Sequence, residues 1–124
     1  MMVLADTSIW IDHFRRGDSR LAQLLDRGEV AMHPFVVGEL LLGRALGTKD
    51  LIGDLNTLPR TAVGSLDEVL KFVSDRKLPG TGIGYVDAHL LAGVALTAET
   101  SIWTRDKRLL AVARSLSLAA EMGE

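Results

Sequence analysis

The chain contains no cysteine, which excludes disulfides, thiolate zinc sites and a cysteine nucleophile. It also lacks any uninterrupted apolar stretch of the length a membrane span needs, so no membrane association is expected. The opening run Met1-Met2-Val3-Leu4-Ala5 is too short for a signal peptide and carries no basic leader. A soluble, cytoplasmic protein is the expectation. Basic charge is not in excess either: the formal net charge is −2, whereas a protein that coats duplex phosphates is usually basic. That balance argues against a passive nucleic-acid coat. It does not exclude a nuclease, because bound divalent cations reverse the field around catalytic carboxylates. Repeats, low-complexity segments and linkers are absent, and 124 residues amount to one domain, 1–124. No nucleotide-binding P-loop is present, because the stretch Pro79-Gly80-Thr81-Gly82-Ile83-Gly84 is not followed by Gly-Lys-Ser/Thr. It reads instead as a flexible approach to the next helix, with backbone turned toward a substrate. His13, His33 and His89 do not have metal-ligand spacing. His89 reads as a structural or surface residue, and Trp10 and Trp103 as core.

What is present is a globular balance, 48% hydrophobic and 24% charged, patterned as short apolar runs alternating with helices. Met2–Ala5 reads as a buried strand ending at Asp6. Ser8–Arg15 is helical, with Asp6, Thr7 or Ser8 as N-cap. Ser19–Arg27 is a second helix stopped by Gly28, and Val30–Met32 a second strand. Pro34 opens an apolar helix to about Leu46. Thr48 caps a helix to Leu58, and Arg60–Ala62 forms a short strand. Ser65–Arg76 begins with a capping box, Ser65 paired with Glu68. Tyr85–Leu96 is a helix, Ser101–Thr104 a strand and Lys107–Leu116 the last long helix, followed by a fraying tail, Glu121–Glu124. This pattern predicts an α/β domain on a parallel sheet, whose functional groups gather beyond the carboxyl ends of the strands.

Sixteen residues are acidic, and most sit where solvated faces or caps are ordinary: Asp12, Asp18, Asp26, Asp54, Asp67, Glu68 and Asp75. Four do not. Glu39 is the only charge between Pro34 and Gly43, and an ionised group in so apolar a helix is costly unless paired or coordinated. Its ordinary alternatives are an ion pair with Arg44 or one wet helix face. Asp87 heads a stripe containing Leu90, Leu91 and Val94 at i+3, i+4 and i+7; favourable interaction with the helix N-terminus is its ordinary alternative. Asp6 and Asp106 each follow an apolar strand and precede a helix, where plain capping is the ordinary reading.

Should the four converge, they need a counter-charge. Two carboxylates about 4 Å apart repel by roughly 4 kcal/mol at a surface-like effective dielectric. A cation relieves that repulsion, and an all-oxygen donor set suits Mg²⁺ or Mn²⁺ rather than zinc. Such an ion supports phosphodiester hydrolysis by activating water and stabilising charge on phosphate.

The run Asp6-Thr7-Ser8-Ile9-Trp10-Ile11-Asp12 resembles the N-terminal motif of PIN-domain ribonucleases, in particular VapC-type toxins. Glu39 within Val-Gly-Glu-Leu, Asp87 within Tyr-Val-Asp-Ala-His-Leu-Leu-Ala, and Thr104-Arg105-Asp106 are similar to the family's later acidic elements, in the same order. The resemblance spans essentially the whole chain. It implies a three-layer α/β/α sandwich with a central parallel sheet, an Mg²⁺ or Mn²⁺ pocket, and endonucleolytic cleavage of RNA. It implies Asp6, Glu39, Asp87 and Asp106 as catalytic residues, with Asp6 and Asp87 as direct metal ligands and Glu39 and Asp106 completing the pocket directly or through water. Asp106 is counted with Asp6 and Asp87 in the metal set, and Thr7, Ser8 and Thr104 would be supporting hydroxyls. A cognate VapB-type antitoxin and a homodimer are also implied. Leu40, Leu41 and Leu42 exceed what one helix face buries, which suits a dimer or antitoxin surface. Arg105, Lys107 and Arg108 beside Asp106, and Arg15 and Arg16 after the first motif, are candidates to hold substrate phosphates, with solvated helix ends as the ordinary reading.

Rival readings fare less well. A phosphoacceptor receiver domain needs paired acids after its first strand, and Asp6 has no acidic neighbour. An Asp-x-Asp phosphatase fails at Ser8, which stands where the second Asp belongs. A PIN-like binding or assembly module without turnover is the remaining alternative.

Overall fold

The computed structural model describes residues 1–43 and 49–122. Among them the order is β1 (Met2–Ala5), α1 (Thr7–Arg16), α2 (Ser19–Asp26), β2 (Val30–Ala31), α3 (Pro34–Leu42), α4 (Lys49–Asn56), α5 (Leu66–Asp75), α6 (Tyr85–Ala95), β3 (Thr100–Trp103) and α7 (Lys107–Ser115). The strands form a parallel sheet in the order β2-β1-β3. Val3, Leu4 and Ala5 on the central strand are all buried, as a parallel strand covered on both faces requires. Helices flank the sheet: α1 lies against β1, α2 against β2, and α6 against both β3 and α5.

Local signals explain most boundaries. Asp6 caps α1, Asp18 caps α2 and Asp106 caps α7, each accepting backbone N–H groups of the first turn. The Ser65–Glu68 capping box is present on α5. Two expectations need correction. Arg60–Ala62 is not a strand but a single parallel bridge, Met32 to Arg60, closed by Met32 N–H to the Pro59 carbonyl and Thr61 N–H to the Met32 carbonyl. Residue 62 leaves the ladder because its N–H bonds the Thr97 hydroxyl instead. Helix α1 starts at Thr7, one residue before the expected Ser8, with Asp6, one of the three expected caps, as its N-cap. The expected extension of α3 to Leu46, the cap at Thr48 and the Arg44 partner for Glu39 lie outside the described residues. On the other edge, the chain after α7 adds a bridge from Ile102 to Ala119.

Helix α6 is buried on every side from Ala88 to Val94. Its approach to the β2–α3 segment depends on Gly93, where an added Cβ would lie 2.8 Å from the Ala62 carbonyl and 3.0 Å from His33 Cδ2. That closeness sets α6, and Asp87 with it, beside α3 and Glu39.

Candidate functional site

Asp6 leaves the end of β1 with its own N–H bonded to the Trp103 carbonyl at 3.0 Å, so its backbone continues the β1–β3 ladder. Its side chain is only 5% exposed. Oδ1 accepts the Ser8 N–H at 3.0 Å, the Ser8 hydroxyl at 2.5 Å and the Ile9 N–H at 3.4 Å. Oδ2 accepts the Thr104 hydroxyl from across the sheet. Both hydroxyls are themselves held: the Arg105 N–H donates to Ser8 Oγ at 3.2 Å, and the Asp106 N–H to Thr104 Oγ1 at 3.0 Å. Two short relays thus run from the β3–α7 turn to the two oxygens of one carboxylate. Burial raises the Asp6 pKa, and the hydroxyl and amide donors oppose the rise without cancelling it.

Asp87 lies in the first turn of α6, which starts at Gly84 without a side-chain cap. It shares a cavity of about 360 Å³ with Thr7, Phe35, Glu39 and Tyr85. Burial is the first reason its pKa is raised; the negative charges of Asp106, Asp6 and Glu39 add to it, and a backbone hydrogen bond from Gly84 opposes it. Glu39 and Asp87 line this cavity together, whereas Asp6 and Asp106 are not part of its lining and act on Asp87 through their charge. Asp106 Oδ1 accepts the Leu109 N–H at 3.0 Å, so Asp106 caps α7 from an exposed position.

Glu39 takes the wet-face alternative while still lining the cavity with Asp87. It stands on the exposed side of α3, so it escapes the desolvation cost that its apolar neighbours suggested. The surplus apolar groups are exposed instead, Leu41 at 50% and Leu42 at 88%.

Arg105 is placed differently from its sequence reading. Its Nη1 lies 2.8 Å from Asp12 Oδ2 and its Nη2 2.6 Å from Asp18 Oδ2, with the guanidinium carbon 5.6 Å from the Trp103 ring centre. Asp12 and Asp18 are thus engaged rather than solvated, and Arg105 is committed to them. Burial pushes the Asp18 carboxyl up, but the Leu21 amide and the Arg105 guanidinium outweigh it and hold the group below its ordinary value. Lys107 and Arg108 are exposed at the start of α7, and the Arg108 side chain lies against Gly82 of the glycine-rich segment.

Sequence reasoning missed the aromatic wall of the site. Tyr85 is half-exposed and meets His89 edge-on, with ring centres 4.6 Å apart. His89 in turn lies 4.5 Å from Phe35. His33 was missed too: it is fully buried and caps α3 by accepting the Phe35 N–H on Nδ1 at 3.0 Å. The signal was there, since His33 occupies the position just before a proline at the first helical residue.

Among the described residues no three His, Cys, Asp or Glu side chains form a ready-made cage for an ion. The donor set still fits Mg²⁺ or Mn²⁺. Its atoms are hard carboxylate oxygens, and Mg²⁺ ordinarily uses one or two carboxylates and keeps several waters. The negative charges of Asp106, Asp6 and Glu39, which add to burial in raising the Asp87 carboxyl, are what a cation would relieve.

Residues 3–115 match the PIN domain family. Proteins named Ribonuclease VapC32 from two strains of Mycobacterium tuberculosis are each 45% identical over 119 residues, covering 95% of this chain and 95% of their own. The crystal structure of PAE2754 from Pyrobaculum aerophilum is similar in fold, with a TM-score of 0.61 at 19% identity over 97% of this chain and 88% of that one.

Proposed function

Because the chain belongs to the PIN-domain family, on its VapC ribonuclease branch, we propose that it is an Mg²⁺- or Mn²⁺-dependent endoribonuclease and the toxin of a type II toxin–antitoxin pair. The observation that supports this reading is the cavity that Thr7, Glu39 and Asp87 share, where the Asp87 carboxyl is raised by burial first and then by the negative charges of Asp106, Asp6 and Glu39. In this reading residues 1–124 are one PIN domain. Asp6 and Asp87 hold the ion directly, and Asp106 and Glu39 complete the pocket directly or through water. When bound, the ion supplies Lewis acidity and charge neutralisation for phosphodiester hydrolysis.

The chain's own groups do the rest. Ser8 and Thr104 fix the rotamer of Asp6 by donating to its two oxygens, the kind of support that tunes a metal ligand. Thr7 lines the same cavity as Glu39 and Asp87, where its hydroxyl supports the carboxylates. Lys107 and Arg108 steer RNA phosphates toward the acids. A VapB-type antitoxin and a second copy of the chain are the proposed protein partners. Exposed Leu41 and Leu42 support an apolar contact at the end of α3. No helix among the described residues is long and apolar enough to cross a membrane, which is compatible with action on cytoplasmic RNA.

The test is cleavage of several RNA classes with Mg²⁺, Mn²⁺ or EDTA, comparing the intact chain with Asp6→Ala and Asp87→Ala. Metal-dependent cleavage lost in both variants supports the reading. Equal cleavage in the variants, or none by the intact chain under any condition, returns the protein to a binding module.

A further inference from the structure

Arg105 lies between two residues of the site, Thr104 and Asp106, and its guanidinium is engaged by carboxylates of α1 and of the α2 cap. Its guanidinium is shared between Asp12 of α1 and Asp18, the cap of α2, at 2.8 and 2.6 Å. Arg16 approaches Asp12 at 3.7 Å, so two arginines and two aspartates balance within this cluster. The guanidinium carbon also lies 5.6 Å from the centre of the buried Trp103 ring, a cation–π contact made more often by arginine than by lysine. Meanwhile the Arg105 backbone N–H donates to Ser8 Oγ. One residue thus grips α1 twice, at Ser8 and one turn later at Asp12, and grips α2 once.

We infer that Arg105 is a positioning residue: it clamps the β3–α7 turn onto α1 and α2, so that Thr104 and Ser8 hold Asp6 in place, and it does not hold substrate phosphate. This rests on the ribonuclease reading only for its kinetic consequences. Half-exposed ion pairs of this kind add little to global stability, so the effect belongs in the geometry of the turn. Support of a metal-ligating carboxylate is typically worth about 10–100-fold in activity or metal affinity.

The experiment compares the intact chain with Arg105→Gln and with the double variant Asp12→Asn/Asp18→Asn. Asparagine keeps the α2 cap while removing both charges that hold the guanidinium. Asp12→Asn alone serves if either variant fails to fold. Amide hydrogen exchange is read at the Arg105 and Asp106 N–H groups, alongside Tm, kcat and KM on an RNA that the intact chain cleaves in Mn²⁺. Expected are faster exchange at both amides, a kcat lower by about 10–100-fold, an unchanged KM and a Tm within a few degrees, in the same direction for every variant. A raised KM with unchanged kcat in Arg105→Gln overturns the inference, as does a lowered KM in the double variant, because a freed guanidinium would then be binding phosphate. Unchanged exchange overturns it as well. If the intact chain cleaves no RNA, the ribonuclease reading fails and the exchange measurement alone decides the clamp.

Discussion

The Thr104 hydroxyl donates to Asp6 Oδ2 across 98 positions of sequence, joining the ends of β1 and β3 through a carboxylate that is nearly inaccessible. Thr104→Val keeps the shape and removes the donor. A buried acceptor left without its partner costs about 1–3 kcal/mol, and cleavage should fall by roughly 10–100-fold because Asp6 is no longer oriented. Thr104→Ser should retain most of both. Urea denaturation and single-turnover cleavage check the pair.

Divalent ions should stabilise the fold. Asp6 and Asp87 have pKa values raised above the ordinary 3.8, so their contribution to stability is present below that value and lost as pH rises through the raised ones. At neutral pH the carboxylates are ionised and mutually repelled, and Mn²⁺ relieves them. At a hundredfold excess over Kd the gain is about 2.7 kcal/mol, a Tm rise on the order of 10 °C. The rise should shrink in acid, as protons compete for the same oxygens. Thermal melts in Mn²⁺ and in EDTA, at two pH values, check it; identical melts at neutral pH would count against the site.

His33 should contribute with the opposite pH sign. Burial first, then the charges of His89 and Arg60, lower its pKa from 6.5 to about 4. Its stabilising contribution is complete above the unfolded value and is lost as pH falls from about 6.5 through about 4. The loss is roughly 2–4 kcal/mol, because the protonated ring cannot accept the Phe35 N–H that caps α3. His33→Asn keeps a capping side chain, so its stability relative to the intact chain should improve steadily over that window. A constant difference in urea midpoints between pH 7 and pH 4 would contradict the assignment.

Gly93→Ala tests the packing of α6. The new Cβ would lie 2.8 Å from the Ala62 carbonyl and 3.0 Å from His33 Cδ2, so either the backbone or the histidine must move. Overpacking of this kind costs about 1–3 kcal/mol. Equilibrium unfolding should show it, with reduced cleavage because Asp87 rides on the same helix.

Some of this was legible from residue order. The strand at Met2–Ala5, the strand expected at Ser101–Thr104 and found one residue earlier at Thr100–Trp103, the caps at Asp6 (one of three candidates) and Asp106, and the capping box at Ser65 follow from local patterning, which needs no distant partner. Glu39 was singled out for the cost of burying its charge, but of the environments open to it the wet helix face is the one found. An apolar helix implies burial on all sides, yet Leu41 and Leu42 beside it are exposed, and composition cannot tell a covered face from an uncovered one. Arg105 was beyond local reasoning because its acceptors lie 93 and 87 positions away. Arg60–Ala62 has strand-like composition, but only one bridge forms before Ala62 is drawn to Thr97.

Asp87→Asn tests most directly whether the carboxylates around Asp87 form the metal-dependent centre of RNA cleavage. The substitution is close to isosteric and removes one negative charge from a cluster that repels it. Cleavage in saturating Mn²⁺ should fall by at least about two orders of magnitude, while Tm in EDTA stays equal to the intact chain or rises. Cleavage by Asp87→Asn at the intact chain's rate, with a fold of unchanged stability, would contradict that role.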